Sequence, residues 1–410
     1  LNPQSLSQAF TTLQQAMDMM ERSEFSGADT QFERAERMAP WLPSINFMRA
    51  QALTRAGRAV EAFQQYSIAA GKAQTLSFQA HAALAASLES VAPEAAFQSY
   101  QDLLAPRHAP EQAKERARAY VKAYTDKYTT HGETLLQNAR GWMEQHVPLL
   151  REHGFDFRGA RVLEIGGSIV PAVCLLYAAL GARVSTIDKF RTPETHSVLP
   201  PSAQRICYET IFRRLRQDAI LPREWFQDAP PLIMDEILEF EGNTVRFDPE
   251  RLDYHGGVDA AHTPFPDASF DLVASTATLE HVGDPDGDPA LTAREIARLL
   301  KPGGWSAHQI DLRDHRDADN APLEFLKYSD QEWRTMPVPQ NQRANRWRMA
   351  HWRKAFGDAG LREVKATPHT GSSPYTVSDD LFASLHPDFQ ALGRDELSVL
   401  DCLILCRKPE

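Results

Sequence analysis

Residues Arg161 to Asp188, RVLEIGGSIVPAVCLLYAALGARVSTID, constrain the fold more than any other stretch of the chain. The apolar, β-branched run Arg161–Ile165 suits a buried strand, and Gly166-Gly167-Ser168 lets the backbone turn sharply and approach a ligand closely. An apolar helix follows, then Gly181, then a second strand from Arg183 to Ile187 that ends on Asp188. The spacing predicts a βαβ unit. Its glycine turn lies at the carboxyl end of the first strand, where open α/β sheets bind their ligands.

Two carboxylates narrow the choice of ligand. Asp188, closing the second strand, suits a ribose, because a carboxylate accepts from both hydroxyls. Glu164, just before the glycines, would face a dinucleotide's pyrophosphate and suits a cationic group instead. The dinucleotide pattern GxGxxG is also missing, since Gly166-Gly167-Ser168-Ile169-Val170-Pro171 lacks its second and third glycines. The stretch resembles the first motif of class I methyltransferases dependent on S-adenosylmethionine, E/D-x-G-x-G-x-G, with Ser168 and Val170 in place of the later glycines. Taken alone, the turn leaves dinucleotide binding and a plain βαβ connection open.

A chain of 410 residues should hold two or three domains, each with its own core. Its 44 basic and 55 acidic residues give a net charge of −11, which argues against general binding to nucleic acid or anionic membranes and leaves room only for a local basic patch. Cys174, Cys207, Cys402 and Cys406 are scattered. The C-x3-C pair sits in an apolar, strand-like tail with no second ligand pair, so all four read as core thiols of a reducing cytosol. No apolar run approaches a membrane span, and the opening LNPQSLSQ does not read as a signal peptide. The expected location is therefore cytoplasmic.

Residues 1–128 read as helical and repetitive. Ala62-Phe63-Gln64-Gln65-Tyr66 recurs 34 residues on as Ala96-Phe97-Gln98-Ser99-Tyr100, and Ala28 with Phe32 stands one period earlier. A small residue and a ring four apart share a helical face, so neighbouring helices can close around the ring. The period and pattern resemble tetratricopeptide repeats, which implies a helical-repeat domain for a protein partner or self-association. Pro40 and Pro106 fall where helices should end. A linker helix is expected over 129–154, with a break at His131-Gly132 that lies over the cofactor.

The α/β domain is expected over 155–410. An insertion near 190–250 is read as two helices, one on Ile211, Leu215 and Ile220 and one on Ile233, Ile237 and Leu238. Asp259-Ala260 is read as the end of a third strand and Phe270–Ser275 as a fourth. A helix from Pro289 to Leu300 is stopped by Lys301-Pro302-Gly303-Gly304, and Trp305–Ile310 is a fifth strand. The acids Glu164, Asp188 and Asp259, followed by FDLVAS, LEHV and LKPGG, occur in the order found in class I methyltransferases. This resemblance covers about residues 155–315 and implies a Rossmann-like methyltransferase domain with S-adenosylmethionine as cofactor. It places Glu164, Gly166, Gly167 and Ser168 at the methionine end and Asp188 on the ribose. Asp259 and Ala260 would flank the adenine, with Ser275 and Thr276 beneath the sulfonium.

Methyl transfer is an in-line displacement, and an alcohol acceptor needs a base. The resemblance to small-molecule O-methyltransferases makes His281, in LEHV, the leading base, with Asp311 orienting it or the acceptor hydroxyl and His315 the alternative base. The segment 308–352 resembles a bacterial subgroup associated with glycan genes and concentrates Asp311, Arg313, Asp314, His315, Tyr328, Trp333, Asn341, Asn345, Arg346 and Trp347. Such groups suit a polyhydroxylated acceptor, so O-methylation of a sugar or glycan intermediate is expected. The alternatives are methylation of a non-sugar natural product at N or O, or a repeat-based interaction protein with a degenerate cofactor domain. No metal is expected, because His308 and Asp311 should point to opposite faces of their strand.

Overall fold

The computed structural model describes residues 3–22, 24–39, 43–72, 82, 85–86, 88–90, 92–104, 111–168, 170–189, 199–217, 234–241, 244–283, 287–339, 342–369 and 375–410. The chain divides into two compact units, Leu1–Tyr128 and Thr129–Glu410. Pro40, Pro106, Ile220, Ile233 and Asn341 lie outside the described residues.

The first unit is helical, with α1 (Pro3–Glu21), α2 (Phe25–Met38), α3 (Pro43–Arg55), α4 (Ala59–Lys72), α5 (Pro93–Leu104) and the start of α6 (Glu111–Glu152). Helices α2, α4 and α5 begin 34 residues apart. Each buries its alanine and its ring: Ala28 with Phe32, Ala62 with Tyr66, and Ala96 with Tyr100. The alanine permits a close helix approach, and the ring one turn later fills the space between helices.

The second unit is built on a seven-stranded sheet. Its strands are β1 (Arg161–Ile165), β2 (Arg183–Asp188), β5 (Leu252–Gly256), β6 (Phe270–Thr276), β7 (Leu300–Asp311), β8 (Arg362–His369) and β9 (Asp401–Arg407). A separate antiparallel pair, β3 (Leu238–Glu241) and β4 (Thr244–Phe247), lies between β2 and β5 in the chain. The sheet order is β5-β2-β1-β6-β7-β9-β8. The first five strands of that order run parallel, and β9 is antiparallel to both β7 and β8. The order turns at β1, with β2 on one side and β6 on the other, so a crevice opens at the tips of β1 and β6. Apolar runs suit these strands because helices, α7 (Ala172–Ala179) among them, cover parallel sheets on both faces. Val162, Leu163, Ile165, Leu272 and Val273 are all buried. No described helix is long and apolar enough to cross a membrane.

Several sequence expectations change. Helix α6 is continuous across His131-Gly132. A Cβ at Gly132 would stand 3.0 Å from the Cα and carbonyl oxygen of Cys207, so this glycine serves close packing against α8 (Pro201–Gln217) and not a break. Ile211 and Leu215 do lie on α8, but Ile237 and Leu238 lead into β3, not a second helix. LEFE and TVRF alternate with a period of two, which is the strand signature. The third parallel strand stops at Gly256, and Asp259 sits beyond it in a turn. Strand β7 begins at Leu300, because the chain pairs again across Lys301–Gly304 after a register shift opposite Phe270 and Leu272.

Candidate active site

The glycine turn is built so that only glycine fits. Gly166 has φ +103°, and a Cβ there would stand 2.0 Å from Thr278 Oγ1. A Cβ on Gly167 would stand 2.5 Å from Thr186 Oγ1. Both amides donate to the Ile187 carbonyl at 2.9 and 3.0 Å, and the Tyr254 hydroxyl donates to the Gly167 carbonyl at 2.6 Å. The turn is therefore clamped to β2 and β5.

A cavity of about 210 Å³ lies against this turn. Glu164, Gly166, Ser168 and Val170 line it from the β1 side, Thr276, Ala277 and Thr278 from the β6 side, and Asn138 and Trp142 from α6. Its size is below the roughly 300–1,000 Å³ of sites that enclose a whole drug-sized ligand, so it suits one end of a larger molecule. Ala277 has φ +46°, a left-handed conformation unusual for alanine and of the kind that clusters at functional sites. A wider depression of about 520 Å³, lined by Arg294, Arg298, Asp358 and Lys408 among others, contains no strand-end carboxylate.

Glu164 is 4% exposed, and its Oε2 accepts from Thr186 Oγ1 at 2.7 Å. Burial pushes its carboxyl up to about 7, against the opposing pull of the Thr186 and Cys174 hydrogen bonds. Such a group ionises readily when a cation arrives beside it. Asp188 ends β2 opposite Gly256, half-buried, and its carbonyl accepts from Val258 N–H at 3.1 Å. Asp259 Oδ1 accepts from the Ala261 N–H at 2.9 Å, and Oδ2 pairs with Lys189 at 3.0 Å. Burial raises the Asp259 carboxyl, but the Ala261 amide and the Lys189 ammonium outweigh it and hold it below the usual range. Ala260 is buried in the main core.

Ser275 does not face the cavity as expected. Its hydroxyl is hydrogen-bonded at 2.8 Å to His308 Nδ1, and the His308 ring stacks on Phe356. Thr276, one residue on, points the other way and lines the cavity.

Just past Thr278 a short turn, Leu279–His281, presents Glu280 and His281. His281 Nδ1 is 2.7 Å from the Arg343 carbonyl, so Nδ1 carries the proton and Nε2 the lone pair in the neutral ring. Burial pushes the His281 pKa down, which keeps the ring neutral at pH 7. Asp311 does not orient His281: its carboxylate is 2.7 Å from Arg313 Nη2 and 3.6 Å from His315 Nε2. His281 and His315 meet edge to face, with ring centroids 4.9 Å apart.

Much of the expected acceptor rim is spent on internal structure. Asp314 is buried against Arg316, and Trp333 is buried with its Nε1 donating to the Ala344 carbonyl at 3.2 Å. Asn345 ties the Leu279–His281 turn: its Nδ2 donates to the Leu279 and Val282 carbonyls at 2.7 and 2.9 Å. The buried Arg346 guanidinium donates to the Phe325 and Tyr328 carbonyls and pairs with Asp330. Trp347 packs against the main core. Arg313, His315 and Tyr328 stay half-buried.

Sequence reasoning missed five contributors. Asn138 and Trp142 share one face of α6 at a spacing of four, a signal that was legible. Glu280 is a carboxylate between Leu279 and His281 in the LEHV motif, also legible. The Arg343 carbonyl on His281 and the Thr278 contact with Gly166 depend on distant segments and left no local trace.

A family model described as a methyltransferase domain matches residues 138–366. No curated protein matches the chain. Among solved structures, the methyltransferase in complex with the Haloferax volcanii Trm112 methyltransferase activator is 18% identical, covering 70% of this chain and 98% of its own, at a TM-score of 0.32. An S-adenosylmethionine-dependent methyltransferase from Methanosarcina mazei is 13% identical, covering 64% and 97%, at 0.37. Phosphoethanolamine N-methyltransferase 2 of Haemonchus contortus, solved with S-adenosyl-L-methionine, is 16% identical, covering 65% and 53%, at 0.34.

Proposed function

We propose an acceptor chemistry for this chain, which belongs to the methyltransferase-domain family and is an S-adenosylmethionine-dependent methyltransferase: it methylates a hydroxyl of a sugar or glycan intermediate. When bound, the cofactor supplies a methyl group on a positively charged sulfur. The residues present fit it, because a buried carboxyl poised near neutrality and a turn closed to any Cβ both face the cavity.

On this reading Glu164 receives the cofactor's ammonium, while Gly166, Gly167 and Ser168 bring bare backbone to its methionine end. Asp188 accepts from the two ribose hydroxyls. Ala260 and the free lone pairs of Asp259 flank the adenine. Thr276 lies beneath the sulfonium, and Ser275 supports it from the opposite face through His308. Asn138 and Trp142 cover the cavity and keep water from it.

The observation that carries the hydroxyl reading is His281. With Nδ1 held by a carbonyl and the ring neutral, Nε2 is a lone-pair nitrogen able to take a proton as the acceptor oxygen attacks. A neutral amine acceptor needs no such base before attack. The glycan-associated resemblance of segment 308–352 and the half-buried Arg313, His315 and Tyr328 support a polyhydroxylated acceptor. The helical first unit, with its 34-residue spacing, fits tetratricopeptide-like repeats that recruit a protein partner or a second copy. The test is methyl transfer from labelled cofactor to matched panels of sugars, sugar nucleotides and amines. Labelled sugar ethers are expected; label on amines alone would overturn the reading.

A further inference from the structure

Glu280 has no role so far, and its placement is costly. It is 2% exposed, and neither carboxylate oxygen has a hydrogen-bond partner among the described residues. An ionised carboxylate is not left buried and unpaired without compensation. His315 Nε2 is likewise buried with no hydrogen bond, its Asp311 neighbour being too distant at 3.6 Å. One ligand atom each from Glu280, His281 and His315 lies within 4.8 Å of the other two.

We infer that Glu280, His281 and His315 form a binding site for one divalent transition-metal ion. Ligands about 2.0–2.2 Å from such an ion stand roughly 3.3 Å apart, so small rotamer changes close the site. His281 already has the orientation of a metal-ligating histidine, with its other nitrogen donating to a backbone carbonyl. The turn is fixed as well, since Asn345 N–H donates to the Glu280 carbonyl at 2.7 Å and the Asn345 side chain holds residues 279 and 282. Two imidazoles and one carboxylate favour zinc, iron, manganese or cobalt over magnesium or calcium, which prefer all-oxygen shells. Three protein ligands leave positions for an acceptor oxygen. This cluster uses neither His308 nor the pairing on β7 that the sequence led us to reject.

The inference rests on the hydroxyl reading only for what the ion would do. With the ion bound, a hydroxyl coordinated there would release its proton to water more readily and His281 would act as ligand; in the metal-free chain His281 keeps the role of base. The experiment is a titration of chelator-treated, tag-free full-length chain with Co2+, followed by visible absorption and calorimetry, with Zn2+ as competitor. One Co2+ per chain is expected, with Zn2+ displacing it. Glu280→Gln, which keeps the shape of the side chain, and His315→Ala should each weaken binding at least 100-fold while cofactor binding persists. No stoichiometric Co2+ uptake by the parent chain, or unchanged uptake by a folded Glu280→Gln variant, would overturn the site. Methylation of sugar hydroxyls by a chain that takes up no cobalt would sink the metal and spare the hydroxyl reading. Stoichiometric cobalt with amines as sole acceptors would do the reverse.

Discussion

Glu164 sets the pH behaviour of the cavity. Its folded pKa near 7 lies above the roughly 4.3 of an unfolded glutamate, so the folded chain binds more protons between those values. Stability from this group is complete below the unfolded value and is lost as pH rises through 7, on the order of 3 kcal/mol in all. Glu164→Gln cannot ionise and should gain on the parent chain between pH 5 and pH 8, as read by urea unfolding at both. The ligand responds with the opposite sign. A cationic ammonium needs the ionised carboxylate, so cofactor affinity should rise from pH 6 to pH 8 in the parent and stay flat and about tenfold weaker or more in Glu164→Gln. A parent affinity independent of pH would remove Glu164 from the cofactor site. His281, on the proposed reading, belongs to the other half of the reaction. His281→Ala should lower kcat by about 10²–10⁴-fold and leave the cofactor Kd within a factor of two, as read by stopped assays and calorimetry. Wild-type turnover would end both roles given to His281.

At the scale of elements, α6 supplies a paired test. A Cβ at Gly132 would stand 3.0 Å from the Cys207 backbone on α8, whereas nothing stands within 4 Å of one at Gly141. Both glycines lie inside the helix, where alanine is intrinsically better by about 1 kcal/mol. Gly141→Ala should therefore raise the melting temperature. Gly132→Ala must push α6 off α8, so it should lower it despite the same gain in propensity. Equal stabilisation by both would show that α6 and α8 do not pack as described. Helix α6 was legible in the sequence, but the reason for Gly132 was not, because the reason is Cys207, more than 70 residues away. The same distance effect explains Ser275, whose partner His308 is set by the pairing of β6 with β7. Where an element reads on its own period it was legible, as with β1, β2 and β6. The β3–β4 pair was not legible, because four residues of alternation per strand are too short a period to stand out among the prolines and charges around them.

Over the whole molecule, the glycine turn and two acids, Glu164 and Asp188, were visible in sequence because local order alone puts them at strand tips. The order β5-β2-β1-β6-β7-β9-β8 then brings those tips together with Thr276 and Thr278, which no local pattern encodes. Asp259 shows the limit: its position past the end of β5 and its pairing with Lys189 appear only once the turn is built. The acceptor segment shows it again, since residues that read as a polar rim proved to be ties within the fold. The central proposal is that the cofactor is held across adjacent strand tips by two carboxylates with different partners. The most direct measurement is calorimetric titration of S-adenosylmethionine into the parent chain and into Asp188→Ala at pH 8. One site per chain in the parent and at least 100-fold weaker binding in a variant with unchanged melting temperature is the predicted result. Equal affinity in the two chains would contradict it.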